Sequence, residues 1–353
     1  MQTGKLIALT LAAAVFTGGL LAGCSSASGS ANSAAPAGSA ASDGGEQAAY
    51  TLKVAVGIPQ SHKDIGAKFK EVVESRTNGQ IQVNVFADNS LGADREVLEA
   101  TQIGDIDITL SNVAPLAATY SDLYLFDTPF LFETREKAFE ILDGEIGQEI
   151  AKGLESKNLK ILSYPENGFR NMTANREIHT PADMSGLKIR VMENNIQLAT
   201  WKALGANPTP MAFNEVFTAL QQGTIDAQEN PVELIYDNKL NEVQSYLIMT
   251  KHMYNPLVLA MNLEKFNSLP DEFQQIVLDA AREATEYERT TAPQYEQQAL
   301  DAIAKDATTQ IIELTPEETA QFQQAVQSVN DIVRNEMEHP ELFDRTLELL
   351  QEE

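Results

Sequence analysis

Two arginines stand out as residues able to do chemistry. Arg170 lies in the segment NGFRNMTAN and Arg190 in GLKIRVM, both inside a chain with formal net charge −26 at pH 7. A protein this acidic repels anions at long range. An arginine set among apolar and Gly/Pro-rich segments therefore suggests a local anion site. A guanidinium meets a carboxylate through two parallel hydrogen bonds, a geometry that lysine cannot reproduce. Asn230, at the tip of TIDAQEN, offers a neutral donor and acceptor that would fix the orientation of such a ligand.

The elements that must position these side chains follow an α/β order. YTLKVAVGI (50–58) alternates at strand period, and the next segment carries Ile65, Phe69, Val72 and Val73 on one helical face before stopping at Asn78-Gly79. QIQVNVFAD is a second strand, REVLEATQIGD a helix, and IDITLSN a buried strand ending in Ser111 and Asn112. Ligands of open α/β sheets gather at strand C-termini, which makes Ser111 and Asn112 pocket candidates as well as ordinary turn caps. The aromatic run YLFDTPFLF (124–132) contains Pro129 and is not a central strand. One helix is expected over 134–155 and extended chain over 159–175, followed by a strand at 186–192.

ENNIQLATWKALG reads as a helix ended by glycine, with the chain's single tryptophan, Trp201, on a face that could look between lobes. ANPTPMAF is a proline-marked connection, NEVFTALQQG another helix and TIDAQEN a short strand. Arg190 and Asn230 thus fall at the ends of separate strands, where one pocket can collect both. The long apolar segment 246–262 can run between lobes, and His252 and Tyr254 within it are cleft candidates or ordinary packing residues. Most of 263–310 is helical, and Thr315-Pro316-Glu317-Glu318 opens a further helix.

Composition excludes several functions. With 25 basic against 51 acidic residues, the chain lacks the basic face that nucleic acid requires. One cysteine rules out an internal disulfide, and His62, His179, His252 and His339 show no ligand-like spacing, so no metal site is expected. Glycine-rich nucleotide loops, a Gly-x-Ser-x-Gly elbow and His-Glu-x-x-His are absent; no cofactor and no catalytic residue is assigned. Pairs such as Glu215 and Asp226 arise freely among so many acids.

The N-terminus reads as an export signal. Lys5 precedes an apolar run from Leu6 to Leu21, shorter than the roughly 20 residues that span a bilayer comfortably. Leu21-Ala22-Gly23-Cys24 matches a bacterial lipobox, in which the thiol of Cys24 is acylated and becomes the new N-terminus. Residues 25–49 are mainly Ser, Ala and Gly and form a flexible tether. The expected localisation is extracytoplasmic, lipid-anchored to the cell membrane.

Several segments resemble the DctP family, the solute-binding proteins of tripartite ATP-independent periplasmic (TRAP) transporters. They are SLGADREVL (90–98), GDIDITLSN (104–112), NGFRNMTANREI (167–178), ADMSGLKIRV (182–191), ALGANPTPMAFNEVFTALQQGTIDAQENP (203–231) and MYNPLVLAMN (253–262). The resemblance implies a two-lobed α/β binding protein with β-strand hinges and a long helix spanning both lobes. It divides the chain into a signal (1–23), Cys24 and tether (24–49), a first lobe (50–167 plus 256–295) and a second (168–255 plus 296–353). It further implies Arg190 as the principal carboxylate clamp, Arg170 as a second anion contact, and Asn230 and Phe213 as pocket lining. The implied partners are a small organic acid and a two-subunit, ion-gradient-driven permease, with the binding protein a monomer. Phe217 stands where a tyrosine is frequent and Asp226-Ala227 where Asp-Gly is usual. Competing expectations are a binding protein for an ATP-driven importer or a sensor kinase, and a lipid-anchored enzyme. C4-dicarboxylates, sugar acids and 2-oxo or aromatic acids all remain open as ligands.

Overall fold

The computed structural model describes residues 48–306 and 308–351, which belong to one compact unit, 46–353. The export signal, Cys24 and nearly all of the tether lie outside the described residues. No described helix is long and apolar enough to cross a membrane.

Among the described residues, ten strands are interspersed with helices, as expected for an α/β chain. The strands are β1 (Tyr50–Ala55), β2 (Ile81–Phe86), β3 (Ile108–Asn112), β4 (Leu159–Ser163), β5 (Glu166–Ala174), β6 (Lys188–Val191), β7 (Asn207–Pro210), β8 (Ala227–Pro231), β9 (Tyr246–Asn262) and β10 (Gln310–Glu313). The helices are α1 (Gln60–Arg76), α2 (Asp94–Ile103), α3 (Arg135–Asp143), α4 (Glu145–Leu154), α5 (Asn195–Ala203), α6 (Val216–Gln221), α7 (Val232–Asp237), α8 (Leu263–Ser268), α9 (Asp271–Asp306), α10 (Pro316–Val326), α11 (Val329–Glu336) and α12 (Glu341–Gln351).

Strand β9 belongs to two sheets. Its C-terminal half, from Leu257 to Asn262, pairs antiparallel with β3 and β4, and β3 continues through parallel β1 to β2. Its N-terminal half pairs with β10 and antiparallel with β5, and β5 leads through β8 and β6 to β7. The partner strand β5 shifts register twice along β9, between Glu166 and Gly168 and between Arg170 and Met172. Lys251 on β9 adopts positive φ (43°), a conformation that disrupts a regular ladder. Two strands bulging together in this way form the crossing between the lobes.

Helix α9, 36 residues long, ties the lobes from behind. Ala280, Ala281 and Ala284 pack into the core of the first sheet with Leu52, Ile65, Phe69 and Leu259. Ala299 and Ile303 pack into a different core with Leu220, Ile235 and Leu247. A third and larger core joins the aromatic segment to α5 and the C-terminal helices through Phe126, Ile150, Trp201, Phe322 and Phe343.

The expected helix over 134–155 is two helices. Gly144 is extended (φ −79°, ψ −165°) and separates α3 from α4. At Gly147 a Cβ would lie 1.8 Å from the carbonyl oxygen of Leu142, so only glycine permits α4 to approach the end of α3 this closely. The proline-marked connection contains a further strand, β7, at the outer edge of its sheet beside β6. An edge is where prolines can sit without breaking a ladder on both sides. The first part of the aromatic run lies in a seven-residue 3-10 helix, Ser121–Asp127, and the rest, 128–132, is turn and irregular chain.

Candidate functional site

The C-terminal ends of β1 and β3 face those of β6 and β8 across a cleft. Its inner cavity encloses about 660 Å³, counted to its open mouth, and is lined from one side by His62, Asp94, Ser111 and Asn112 and from the other by Arg190, Met192, Phe213, Asn230 and Leu234. An outer cavity shares Asp94, Arg190, Met192 and Phe213 with it and adds Arg95, Glu96 and Glu193. Arg95 and Glu193 pair across the lobes at 3.5 Å.

Arg190 sits near the end of β6 and is only 3% exposed. Its Nε and Nη2 donate to the carbonyl of Met211 at 2.9 and 2.7 Å, and the Phe213 ring lies 5.9 Å from its guanidinium carbon. Its Nη1 is buried without a partner. Burial lowers the pKa of Arg190 to about 10, with Glu229 acting in the opposite direction, so the group is a cation at neutral pH. A buried cation with an unmet donor at a cavity wall is arranged to receive an acceptor from solution.

Arg170 looks equivalent in sequence but is placed differently. It is fully buried, does not line the cleft cavity, and directs its nitrogens to protein groups. Nε lies 2.5 Å from Glu229 Oε2, Nη1 donates to Asn255 Oδ1 at 2.8 Å, and Nη2 donates to Glu229 Oε1 at 2.9 Å and Asn230 Oδ1 at 2.8 Å. Its role in the geometry is to hold Asn230 from behind. Burial alone would raise the Glu229 carboxyl, but Arg170 and His252 outweigh it and hold the group well below the ordinary carboxylate range.

Ser111 and Asn112, at the end of β3, both donate to Asp94, the first residue of α2. Ser111 Oγ is 2.8 Å and Asn112 N 3.1 Å from Oδ1, and Asn112 Nδ2 is 2.9 Å from Oδ2. From Asn112 the hydrogen bonds continue across the hinge. Asn167 Nδ2 donates to Asn112 Oδ1 at 3.4 Å and to Asn255 Oδ1 at 3.0 Å, the oxygen that also accepts from Arg170. One chain of amides therefore links the two walls of the cavity through β5 and β9.

The remaining sequence candidates lie apart from the cleft cavity. Trp201 is buried, its ring 5.0 Å from that of His252, and both line a separate small cavity with Asp127. His252 Nδ1 lies 2.8 Å from Thr250 Oγ1 and Nε2 lies 3.2 Å from Glu229 Oε2. Tyr254 is buried in the hinge among the rings of Phe132, Phe139 and Phe169, its hydroxyl donating to Glu166 at 3.4 Å. Burial raises its pKa well above the ordinary tyrosine value.

Two cavity residues escaped the sequence reading. Asp94 reads as a common acid in a helix first turn, and His62 draws no notice once metal spacing is excluded. Both follow strand ends, β2 and β1 respectively, and the rule that singled out Ser111 would have reached them too. His62 is 5% exposed; its Nε2 lies 3.2 Å from Asn167 Oδ1 and its Nδ1 has no partner. Burial lowers its pKa to about 4, so the ring is neutral. The first turn of α1 beside it is capped from the other lobe, where Glu233 on α7 accepts from Ser61 N at 3.0 Å and Ser61 Oγ at 2.8 Å. Among the described residues no cluster of three or more His, Cys, Asp or Glu side chains is placed to hold a metal ion.

Comparison with known proteins places this architecture. The family model DctP, bacterial extracellular solute-binding protein family 7, matches residues 58–336. The chain is 39% identical over 246 residues to the 2,3-diketo-L-gulonate-binding periplasmic protein YiaO of Escherichia coli, covering 69% of this chain and 75% of the relative. It is 35% identical over 277 residues to the C4-dicarboxylate-binding periplasmic protein DctP of Rhodobacter capsulatus, covering 77% and 83%. A crystal structure of a TRAP periplasmic solute binding protein from a Polaromonas species, bound to D-erythronate, superposes with a TM-score of 0.80 at 34% identity, covering 86% of this chain and 98% of that one. By sequence over most of its length, and by a two-lobed fold with a cleft between the lobes, the chain belongs to the DctP family of bacterial extracellular solute-binding proteins.

Proposed function

We propose that this protein captures a small organic acid outside the cytoplasm by an arginine–carboxylate clamp and delivers it to a two-subunit TRAP permease driven by an ion gradient. The observation that carries the reading is Arg190, a buried cation whose Nη1 has no protein partner at the wall of the cleft. A ligand carboxylate supplies the missing acceptor and the counter-charge together. Asn230 and Phe213 stand beside Arg190 on the same wall, and Ser111 and Asn112 on the opposite one. Arg170 contributes as the support of Asn230.

A ligand touching both walls favours the closed arrangement of the lobes, so occupancy and closure are linked. The relatives named above bind a diketo sugar acid, a C4-dicarboxylate and an aldonate, all of them carboxylates, which agrees with the clamp. Acylation of Cys24 would tether the body to the membrane that holds the permease. Loss of fatty-acid labelling in Cys24→Ser tests the tether.

Isothermal titration tests the clamp. A thermal-shift screen of organic acids finds a ligand, because binding raises apparent stability by mass action. Arg190→Ala is then expected to weaken it by about 2–5 kcal/mol, the cost of truncating one side of a buried charge pair. Arg190→Lys is also expected to lose affinity, since one ammonium cannot hold the Met211 carbonyl and grip a carboxylate in two places. Binding by Arg190→Ala as tight as that of the wild type would sink the assignment.

A further inference from the structure

We propose that Asp94 is the specificity-determining residue of the cleft, selecting hydroxylated monocarboxylates and excluding dicarboxylates of the same length. The inference rests on Arg190 as the carboxylate clamp and adds what the other end of the ligand must be.

The charge distribution in the cavity is simple. Arg190 is the cation lining the inner cavity and Asp94 the anion, and they come from opposite lobes. A ligand carboxylate held by Arg190 leaves the rest of the molecule facing the wall of Asp94, Ser111, Asn112 and His62. That wall has no positive charge to offer, because burial keeps His62 neutral.

Asp94 meets the ligand as an acceptor. Oδ1 takes two hydrogen bonds, from Ser111 Oγ and Asn112 N, while Oδ2 takes one, from Asn112 Nδ2. A carboxylate has about four acceptor positions, so Oδ2 keeps one open. His62 Nδ1, buried and unpartnered in the same cavity, is the second unmet group on this wall. Hydroxyl groups satisfy both, donating to Asp94 Oδ2 and to His62 Nδ1, the acceptor nitrogen of a neutral ring whose Nε2 donates to Asn167 Oδ1. A second carboxylate satisfies neither and lies against a like charge in a partly desolvated space.

The outer cavity gives such a carboxylate no refuge. Arg95 is there, but it is paired with Glu193 at 3.5 Å, and Glu96 adds another acid whose Oε2 accepts from Ala93 N at 2.8 Å. Moving outward therefore meets one cation already engaged and two further anions.

Matched acids that differ only by oxidation of the terminal CH₂OH to carboxylate isolate the effect: L-threonate against L-tartrate, and D-gluconate against D-glucarate. In calorimetric titrations of the wild-type protein, a monoacid is expected to bind on the order of 100-fold more tightly than its diacid, as like charges brought together cost several kcal/mol. Asp94→Asn, which keeps the size and removes the charge, is expected to narrow that ratio to about tenfold or less, chiefly by gain of the diacid. A wild type that binds the diacid as tightly as the monoacid, an unchanged ratio in Asp94→Asn, or no binding by either member of both pairs overturns the inference. The wild-type ratio decides on its own if Asp94→Asn fails to fold. Arg190→Ala, titrated with whichever acid binds, separates this inference from the clamp beneath it: retained binding there refutes the clamp, whatever the ratio.

Discussion

Arg170 and Glu229 meet on adjoining strands, β5 and β8, with Nε 2.5 Å from Oε2 and both side chains buried from solvent. The pair is a closed unit in which the guanidinium also holds Asn230 and Asn255 and the carboxylate also faces His252; neither Arg170 nor Glu229 lines the cleft cavity, which they reach only through Asn230. Twenty residues on, Arg190 presents the opposite condition, a buried guanidinium left with one nitrogen unmet. On the proposed reading of Arg190 as the carboxylate clamp, stability and ligand capture are divided between two residues of one type.

That division predicts the behaviour of Arg170→Met. Removing one partner leaves Glu229 buried without its counter-charge, and a loss of about 3–5 kcal/mol in unfolding free energy is expected. Denaturant titration measures it. A loss below about 1 kcal/mol would show that the pair is dispensable to the fold.

Acid should act on the same unit. Because the pKa of Glu229 is held below the ordinary glutamate value of 4.5, the folded state binds its proton less readily than the unfolded chain. The stabilisation is therefore fully present above about pH 4.5 and is lost as pH falls towards the folded value. Glu229→Gln is expected to flatten the decline of melting temperature between about pH 5 and pH 3 relative to the wild type. Parallel curves for the two proteins would contradict this.

Gly147 gives a third test, independent of charge. Alanine normally favours a helix over glycine by about 1 kcal/mol, yet here its Cβ would fall 1.8 Å from the Leu142 carbonyl oxygen. Gly147→Ala is expected to destabilise the protein by about 1–3 kcal/mol through forced movement of α3 against α4. A rise in melting temperature would mean that the two helices separate without cost.

Much of the framework was legible in the chain. Alternating apolar residues marked β1, β2 and β3, and the face of Ile65, Phe69, Val72 and Val73 is buried on α1. The Thr315 cap was legible because its signal is local: Thr315 Oγ1 accepts from Glu318 N at 3.2 Å while Glu318 Oε2 accepts from Thr315 N at 2.7 Å. Likewise Ser111, Asn112, Arg190 and Asn230 were reachable because strand ends on one side of a sheet converge. The break at Gly144 was not legible, since it depends on how closely two neighbouring helices pack.

By itself, then, the amino-acid order determined the succession of strands and helices, the cleft-forming strand ends, and the presence of arginines able to meet a carboxylate. Residue type and spacing did not separate Arg170 from Arg190, and the family resemblance, which ranked Arg190 first, still made Arg170 an anion contact; nor did they place Trp201, His252 and Tyr254 inside rather than on the cleft. Those outcomes depend on register: the pairing of β5 with β8 sets Glu229 beside Arg170, and the crossing of β5 and β9 turns Tyr254 into the hinge. Asp94 and His62 share a wall with Ser111 only because β1, β2 and β3 lie side by side. Contacts between residues far apart in sequence are decided by sheet pairing and packing, so only the tertiary structure could assign which polar groups are satisfied and which remain open to a ligand.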